Sequence, residues 1–204
     1  GADPARAAEA DTNTVDSAFV VRITQIYGQA ADTTSLIRWV RTATERFPTQ
    51  ANYFYQLAAL LRVRADTAGA TGAIRGYLRL LPSDGRGHLV YATLLLDQAQ
   101  SDSARAQAMV AGQVDSLQRN SAGQVLFAIG VAKLRTEDWA GAADLLGLAK
   151  DWVTAPPARV AQIAYYLGVS QFRLATGADS TAMLATTPAQ AQVRCDAAHR
   201  LASL

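Results

Sequence analysis

Helix-breaking residues recur along this chain at a spacing of about one helical hairpin. Pro48 and Pro82 are 34 residues apart, and each follows a segment whose apolar residues recur every three or four positions. That period is typical of an amphipathic helix, whereas the alternating pattern of a β-strand is almost absent. The sequence therefore predicts an all-α chain of helical hairpins joined by short turns.

Five frames of this period follow one another. They begin at Ser17, Ala51, Gly85, Gly123 and Ala161, with four additional residues between the third frame and the fourth and again between the fourth and the fifth. A small residue stands at the eighth position of every frame: Thr24, Ala58, Ala92, Gly130 and Gly168. Small residues there would let the two helices of a hairpin approach closely, while large neighbours fill the remaining space.

The pattern resembles the tetratricopeptide repeat, a helix–turn–helix unit of about 34 residues. Its best local match is Ile129-Gly130 followed by Ala142, and Leu167-Gly168 repeats the first-helix half. The resemblance spans residues 17–187 and implies a right-handed superhelical solenoid of about five repeats. We expect residues 1–16 to be a flexible lead-in and residues 188–204 to form a C-terminal capping helix. Turns are also expected at residues 120–123 and 177–179.

Composition excludes several classes of protein. Half of the residues are hydrophobic and 18% are charged, which does not fit a disordered chain. The net charge of +2 is too small for a nucleic-acid-binding surface. No apolar run approaches the roughly 20 residues of a membrane span. The single cysteine rules out an internal disulfide.

Candidate catalytic and metal-binding residues are scarce. Cys195 and His199 are four residues apart and could share a helix face, but we interpret them as a semi-buried thiol beside a surface imidazole. His88 occupies a position for a large core residue, so we expect a packed imidazole. With two histidines in the chain, the sequence predicts no catalytic site, no metal site and no cofactor.

The family resemblance implies that the first helices line a concave groove. Residues offset from the core positions would face it, and they are aromatic, amide-bearing or arginine: Asn52, Tyr55, Arg62, Arg86, Gln124, Phe127, Arg135, Gln162, Tyr165 and Arg173. Aromatic and arginine side chains are enriched in protein interfaces. The aromatic residues at the fifth position could equally pack against the neighbouring hairpin, so groove and core both remain open for them.

These features favour a non-enzymatic scaffold that binds a peptide or a partner subunit. Two alternatives remain. The first is a structural subunit that self-assembles into an oligomer or filament, or an accessory subunit of a larger complex. The second is an enzyme whose catalytic residues are Cys195 and His199. The small residues around Gly1 to Pro4 are typical of signal-peptide cleavage, so we expect an exported bacterial protein, periplasmic or extracellular. A residual tag sequence and a cytoplasmic location are the alternatives.

Overall fold

The computed structural model describes residues 17–182, which form nine α-helices arranged as four consecutive hairpins and one long final helix. The helices are Ser17–Gln29 (α1), Thr33–Arg46 (α2), Ala51–Val63 (α3), Thr67–Leu80 (α4), Gly85–Asp97 (α5), Ser101–Val114 (α6), Arg119–Arg135 (α7), Trp139–Trp152 (α8) and Pro157–Ala182 (α9). No strand occurs within this range. The predicted all-α repeat architecture is confirmed, and the first helices of hairpins one to three begin where their frames begin.

The turn inside each hairpin is built in the same way four times. Its central residue adopts a positive φ of 54° to 58°, at Ala31, Ala65, Ala99 and Glu137. The next residue donates its backbone N–H to the carbonyl five residues earlier, as Asp66 does to Leu61 at 2.9 Å. This closes the first helix in a Schellman arrangement. These turns are 34, 34 and 38 residues apart, which matches the repeat period seen in the sequence.

Aspartate begins the second helix of three hairpins. The Oδ1 atoms of Asp32, Asp66 and Asp138 accept hydrogen bonds from the backbone N–H groups three residues later, at 2.9 to 3.1 Å. These bonds satisfy N–H groups that the helix itself leaves without a partner. The third hairpin has Gln100 at this position and lacks the side-chain cap.

Replacing Ala65 with glycine should stabilise the protein. An L-residue at positive φ has an unfavourable contact between its Cβ and the backbone, which glycine avoids. We expect a gain of about 0.5–1 kcal/mol in the free energy of unfolding, measured by urea denaturation. The same substitution at Ala59, exposed in the middle of α3, is the control and should cost about 1 kcal/mol. Destabilisation by glycine at both positions would contradict the idea that the positive φ of Ala65 costs free energy of folding.

The first four additional residues fall where hairpin three meets hairpin four. A 3₁₀ turn at Ser116–Gln118 joins α6 to α7, and α7 has 17 residues where the earlier first helices have 13. The turn predicted at residues 120–123 is therefore wrong, because these residues form the first part of α7. Asn120 ties that part to the next connection, since its Oδ1 accepts the N–H groups of Thr154 and Ala155 at 2.9 and 3.2 Å.

The last helix also departs from the sequence prediction. α9 is continuous over 26 residues and passes through Gly177 to Asp179, where a turn was predicted. Glycine disfavours a helix by only about 1 kcal/mol, which the surrounding residues can offset. A second helix for the fifth hairpin is therefore absent from the described residues. The lead-in at residues 1–16 and the capping helix at 188–204 lie outside them.

The core lies between the paired helices and is richest around hairpins three and four. Ala92, Leu95, Leu126, Ile129 and Leu146 are among its fully or almost fully buried residues. The small residues at position eight lie at these contacts: Ala58 and Ala92 are buried, and a Cβ added to Gly130 would come within 3.0 Å of Leu146. The packing role predicted for position eight therefore agrees with the structure at Ala58, Ala92 and Gly130, but not at Gly168, where an added Cβ would meet no atom within 4 Å.

Candidate binding groove

A first cleft lies between helices α3 and α5, and it contains three of the predicted groove residues. We call it the α3–α5 cleft; it has a volume of about 360 Å³ and is lined by Ala51, Asn52, Tyr55, Tyr77, Leu81 and Arg86. Tyr55 packs against Tyr77 of α4 with ring centroids 5.2 Å apart. The guanidinium of Arg86 lies over the Tyr55 ring at 5.7 Å from its centroid. The cleft thus has an aromatic floor with a cation and an amide at its edge.

A second cleft lies between α7 and α9, two repeats further along the array. We call it the α7–α9 cleft; its volume is about 380 Å³, and its lining is Phe127, Ala128, Val131, Ala132, Arg135, Arg159, Gln162 and Tyr166. Arg159 lies over the Phe127 ring at 4.6 Å, and Tyr166 packs against the same ring at 6.0 Å. Both clefts therefore place an arginine from one first helix over an aromatic residue of the preceding first helix.

The three aromatic residues at position five differ in exposure. Phe127 is 6% exposed and belongs to the hydrophobic core, forming a wall of its cleft. Tyr55 is half-buried. Tyr165 is 67% exposed and contacts only the neighbouring Tyr166 among the described aromatic rings. The exposure rises at α9 because no further first helix packs on it within the described residues.

The remaining predicted residues lie outside both clefts. Arg62 is exposed near the end of α3, and Gln124 is half-buried on α7. Arg173 lies over the ring of Trp139 on α8, at 5.5 Å from its centroid. Of the ten predicted residues, the structure groups Asn52, Tyr55 and Arg86 in one cleft, and Phe127, Arg135 and Gln162 in the other.

Sequence reasoning missed several residues that line these clefts. Arg159 lies two residues before the fifth frame, next to a segment interpreted as a turn, and Tyr77 belongs to a second helix. Arg159 could have been found from its place three residues after Pro156, at the start of an apolar helical pattern. Tyr77 gives no sequence signal for a cleft, because its position depends on how α4 crosses α3.

The first helices carry a net positive charge. α1, α3, α5, α7 and α9 together carry eight basic residues, which are Arg22, Arg62, Arg86, Arg119, Lys133, Arg135, Arg159 and Arg173, against the two acids Asp97 and Asp179. Lys133 forms an ion pair with Asp138 at 3.0 Å, and Arg119 donates to the carbonyl of Gly112. Arg86, Arg135 and Arg159 line the clefts, where a carboxylate could reach them.

Tyr77 couples the α3–α5 cleft to the start of α5. Its hydroxyl donates to Oδ2 of Asp84 at 3.0 Å, and the same oxygen accepts the N–H of Gly87 at 2.7 Å. Burial of the phenol, and then the hydrogen bond to the Asp84 carboxylate, raise the pKa of Tyr77 to about 12. The hydroxyl is therefore a protonated donor at every physiological pH.

The raised pKa of Tyr77 predicts a loss of stability in strong alkali. The folded state holds its proton more tightly than the unfolded chain, whose tyrosine titrates near pH 10. The contribution of this group is complete below pH 10 and falls as the pH rises toward 12. Tyr77→Phe should cost about 1 kcal/mol at neutral pH and should remove this part of the alkaline decline. Urea denaturation of both proteins from pH 7 to 11.5 measures this difference. If the free energies of unfolding of the two proteins fall in parallel as the pH rises, Tyr77 is not the group responsible for the decline.

Between residues 17 and 182, no cluster of three or more His, Cys, Asp or Glu side chains could hold a metal ion, and no helix is long and apolar enough to cross a membrane. His88 is half-buried, with its ring nitrogens 2.7 Å from Gln107 Oε1 and 2.9 Å from the carbonyl of Pro82. This agrees with the packed imidazole expected there. Cys195 and His199 lie outside the described part of the chain.

Hairpins of this period, stacked through small residues at position eight, define the fold of the tetratricopeptide-repeat solenoids. Three solved structures with this fold cover most of the chain. MamA aligns with a TM-score of 0.59 at 8% identity, over 90% of this chain and 86% of that one. YrrB, described as a TPR protein with an unusual peptide-binding site, aligns with a TM-score of 0.57 at 14% identity, over 83% of each chain.

PilF from Pseudomonas aeruginosa aligns with a TM-score of 0.52 at 18% identity, over 98% of this chain and 90% of that one. No family model and no curated protein matches the sequence. At these identities the likeness establishes the fold, and the family resemblance noted in the sequence is confirmed at that level.

Proposed function

We propose that this protein is a non-enzymatic interaction scaffold whose first helices bind an extended, acidic segment of a partner protein. The observation that carries the proposal is the repeated construction of the two clefts. Each combines an aromatic floor, an amide side chain and at least one arginine: Asn52 and Arg86 in the α3–α5 cleft, and Gln162, Arg135 and Arg159 in the α7–α9 cleft.

The chemistry of both clefts suits a peptide with carboxylate side chains. Arginine can hold a carboxylate through two parallel hydrogen bonds, and an amide side chain can both donate to and accept from a peptide backbone. The aromatic floor offers apolar surface to the peptide's own side chains. Fold neighbours support the general mode, since YrrB is described as having a peptide-binding site.

The spacing of the clefts sets the length of the expected segment. Equivalent positions of a repeat array lie on one face, and packed helices are about 8–10 Å apart. Two repeats therefore separate the clefts by on the order of 20 Å. An extended chain advances about 3.3 Å per residue, so a segment with acidic residues roughly six positions apart could reach both.

Fluorescence anisotropy with synthetic peptides tests the proposal. A labelled peptide with two Glu pairs six residues apart should bind, and its dissociation constant should rise steeply with added salt because exposed charges are screened. The same peptide with lysine in place of each glutamate is the control and should not bind. Equal binding of the two peptides, or no binding of either at millimolar protein, would contradict the proposed function.

A further inference from the structure

One face of α9 is uncovered where the same face is covered in the preceding hairpins. At position eight, Ala58 and Ala92 are buried and Gly130 touches Leu146 of its own hairpin. The equivalent Gly168 has open space, because a Cβ added there would meet no atom within 4 Å. The second helix that would cover this position is missing from the described residues.

Neighbouring positions show the same difference. At position four, Leu126 of α7 is fully buried, whereas Ala164 of α9 is exposed. At position twelve, Leu134 is half-buried against the core, whereas Phe172 is 56% exposed. We call this surface the α9 outer face; it consists of Ala161, Ala164, Tyr165, Gly168, Phe172 and Ala175.

A buried polar atom lies at the edge of the same surface. Oε1 of Gln171 is buried and has no hydrogen-bond partner among the described residues. A buried acceptor without a donor is unfavourable by about 1–3 kcal/mol. Gln171 is three residues after Gly168 and therefore lies beside the α9 outer face. A chain segment packed on that face could supply the hydrogen-bond donor.

The course of α9 determines which segment of this chain is available. The helix continues to Ala182, which leaves five residues before Pro188, too few for another helix of the expected length. The next segment with a helical pattern is 191–204. Its Val193, Ala197, Leu201 and Leu204 are spaced four, four and three residues apart, and in a helix they share one face.

We propose that residues 191–204 pack against the α9 outer face as an antiparallel helix and so complete the fifth hairpin. Phe172 lies ten residues before Ala182, which is about 15 Å along a helix. The eight residues 183–190 can span up to roughly 26 Å, so they can return the chain to Phe172. A helix of 14 residues is then about 21 Å long and extends past Gly168 to Ala164. This packing does not require a bound peptide in either cleft.

The proposed helix also determines whether the end of the solenoid can bind another copy. An exposed apolar face at the end of a repeat array is a surface for head-to-tail stacking. With residues 191–204 in place, Tyr165, Gly168 and Phe172 are covered. The protein is then a monomer, and the stacking alternative raised by the sequence is suppressed.

A relocated cysteine provides the test, because Cys195 lies two residues from both Val193 and Ala197 and so points away from the face that would pack on α9. In the full-length protein, Cys195→Ser with Ala197→Cys moves the only thiol onto the packed face, and Ala161→Cys, Ala164→Cys or Gly168→Cys then adds one thiol to the α9 outer face. A disulfide requires the two Cα atoms to be within about 7 Å. Under mild oxidation at micromolar protein, most of the chain should form an intrachain disulfide in at least one variant. Ala128→Cys, exposed on α7, is the matched control and should stay reduced.

A second pair of changes separates the possible occupants. Leu201→Asp with Leu204→Asp should abolish the intrachain disulfide and should produce concentration-dependent association in sedimentation velocity. Disulfide-linked dimers in the three α9 variants would show that a second copy covers the face, which overturns the proposal. Absence of any disulfide in all three variants, with helicity retained by circular dichroism, would also overturn it.

Discussion

Reversing both arginines of the α7–α9 cleft should abolish binding of the acidic peptide. Arg135 and Arg159 line this cleft together with Gln162, so Arg135→Glu with Arg159→Glu replaces two attractive contacts by two repulsive ones. Loss of charged contacts at an interface centre typically costs about 2 kcal/mol or more each. Since 1.4 kcal/mol is a tenfold change in affinity, the two losses together, about 4 kcal/mol, should raise the dissociation constant several hundredfold in fluorescence anisotropy.

The matched control reverses the same number of charges on second helices. Arg79 and Arg105 are exposed on α4 and α6, and Arg79→Glu with Arg105→Glu changes the net charge by the same amount. This variant should alter the dissociation constant less than threefold at physiological salt, because distant exposed charges are screened. Equal losses in the two double variants would mean that net charge, rather than the cleft, attracts the peptide.

The two arginines of the α7–α9 cleft should also act differently from each other. Arg159 lies over the core residue Phe127 at 4.6 Å, so its removal also takes away a cation–π contact of about 0.5–2 kcal/mol. Arg135 is exposed at the end of α7. Any loss of folding stability in the double variant should therefore come from the change at Arg159. The single Arg135→Glu variant then measures the effect on binding alone.

The sequence predicted the repeat architecture because local and long-range requirements agree on it. Ser17, Ala51 and Gly85 begin first helices in both the frames and the structure, since the same spacing sets the turns and the small residues at the contacts. The prediction was wrong at residues 120–123 and 177–179. Glycine and serine there lower helix propensity, but Asn120 bonds to the connection before α9, and Gly177 lies within a helix that continues to Ala182.

The cleft residues were harder to predict, because their exposure depends on the neighbouring repeat. Phe127 and Tyr165 occupy the same frame position, yet Phe127 is buried because Tyr166 and Arg159 of α9 pack on its ring. The structure brings Asn52, Tyr55 and Arg86 together in one cleft. The frame could not show that Arg173 packs on Trp139, since that contact depends on how α9 crosses α8.

Gly130→Leu should cause the largest loss of stability of any substitution considered. A Cβ at this position would lie 3.0 Å from Cγ and 3.1 Å from Cδ2 of Leu146, and 3.4 Å from Cβ of Leu145. Both leucines are buried on α8, so neither can turn away into solvent. The three further carbons of the leucine side chain must then push α7 and α8 apart.

Overpacking of this kind costs about 1–3 kcal/mol, and occasionally more, while the better helix propensity of leucine returns about 0.8 kcal/mol. Because both contacting leucines are buried, we take the upper end of the overpacking range and expect a net loss of about 2 kcal/mol in urea denaturation. Gly147→Leu on α8 is the matched control, because a Cβ there would meet no atom within 4 Å. It receives the same gain in helix propensity without the clash and should be neutral or slightly stabilised. If both variants unfold at the same urea concentration, α7 and α8 do not touch at Gly130, and the repeat frame that places a small residue at position eight is wrong.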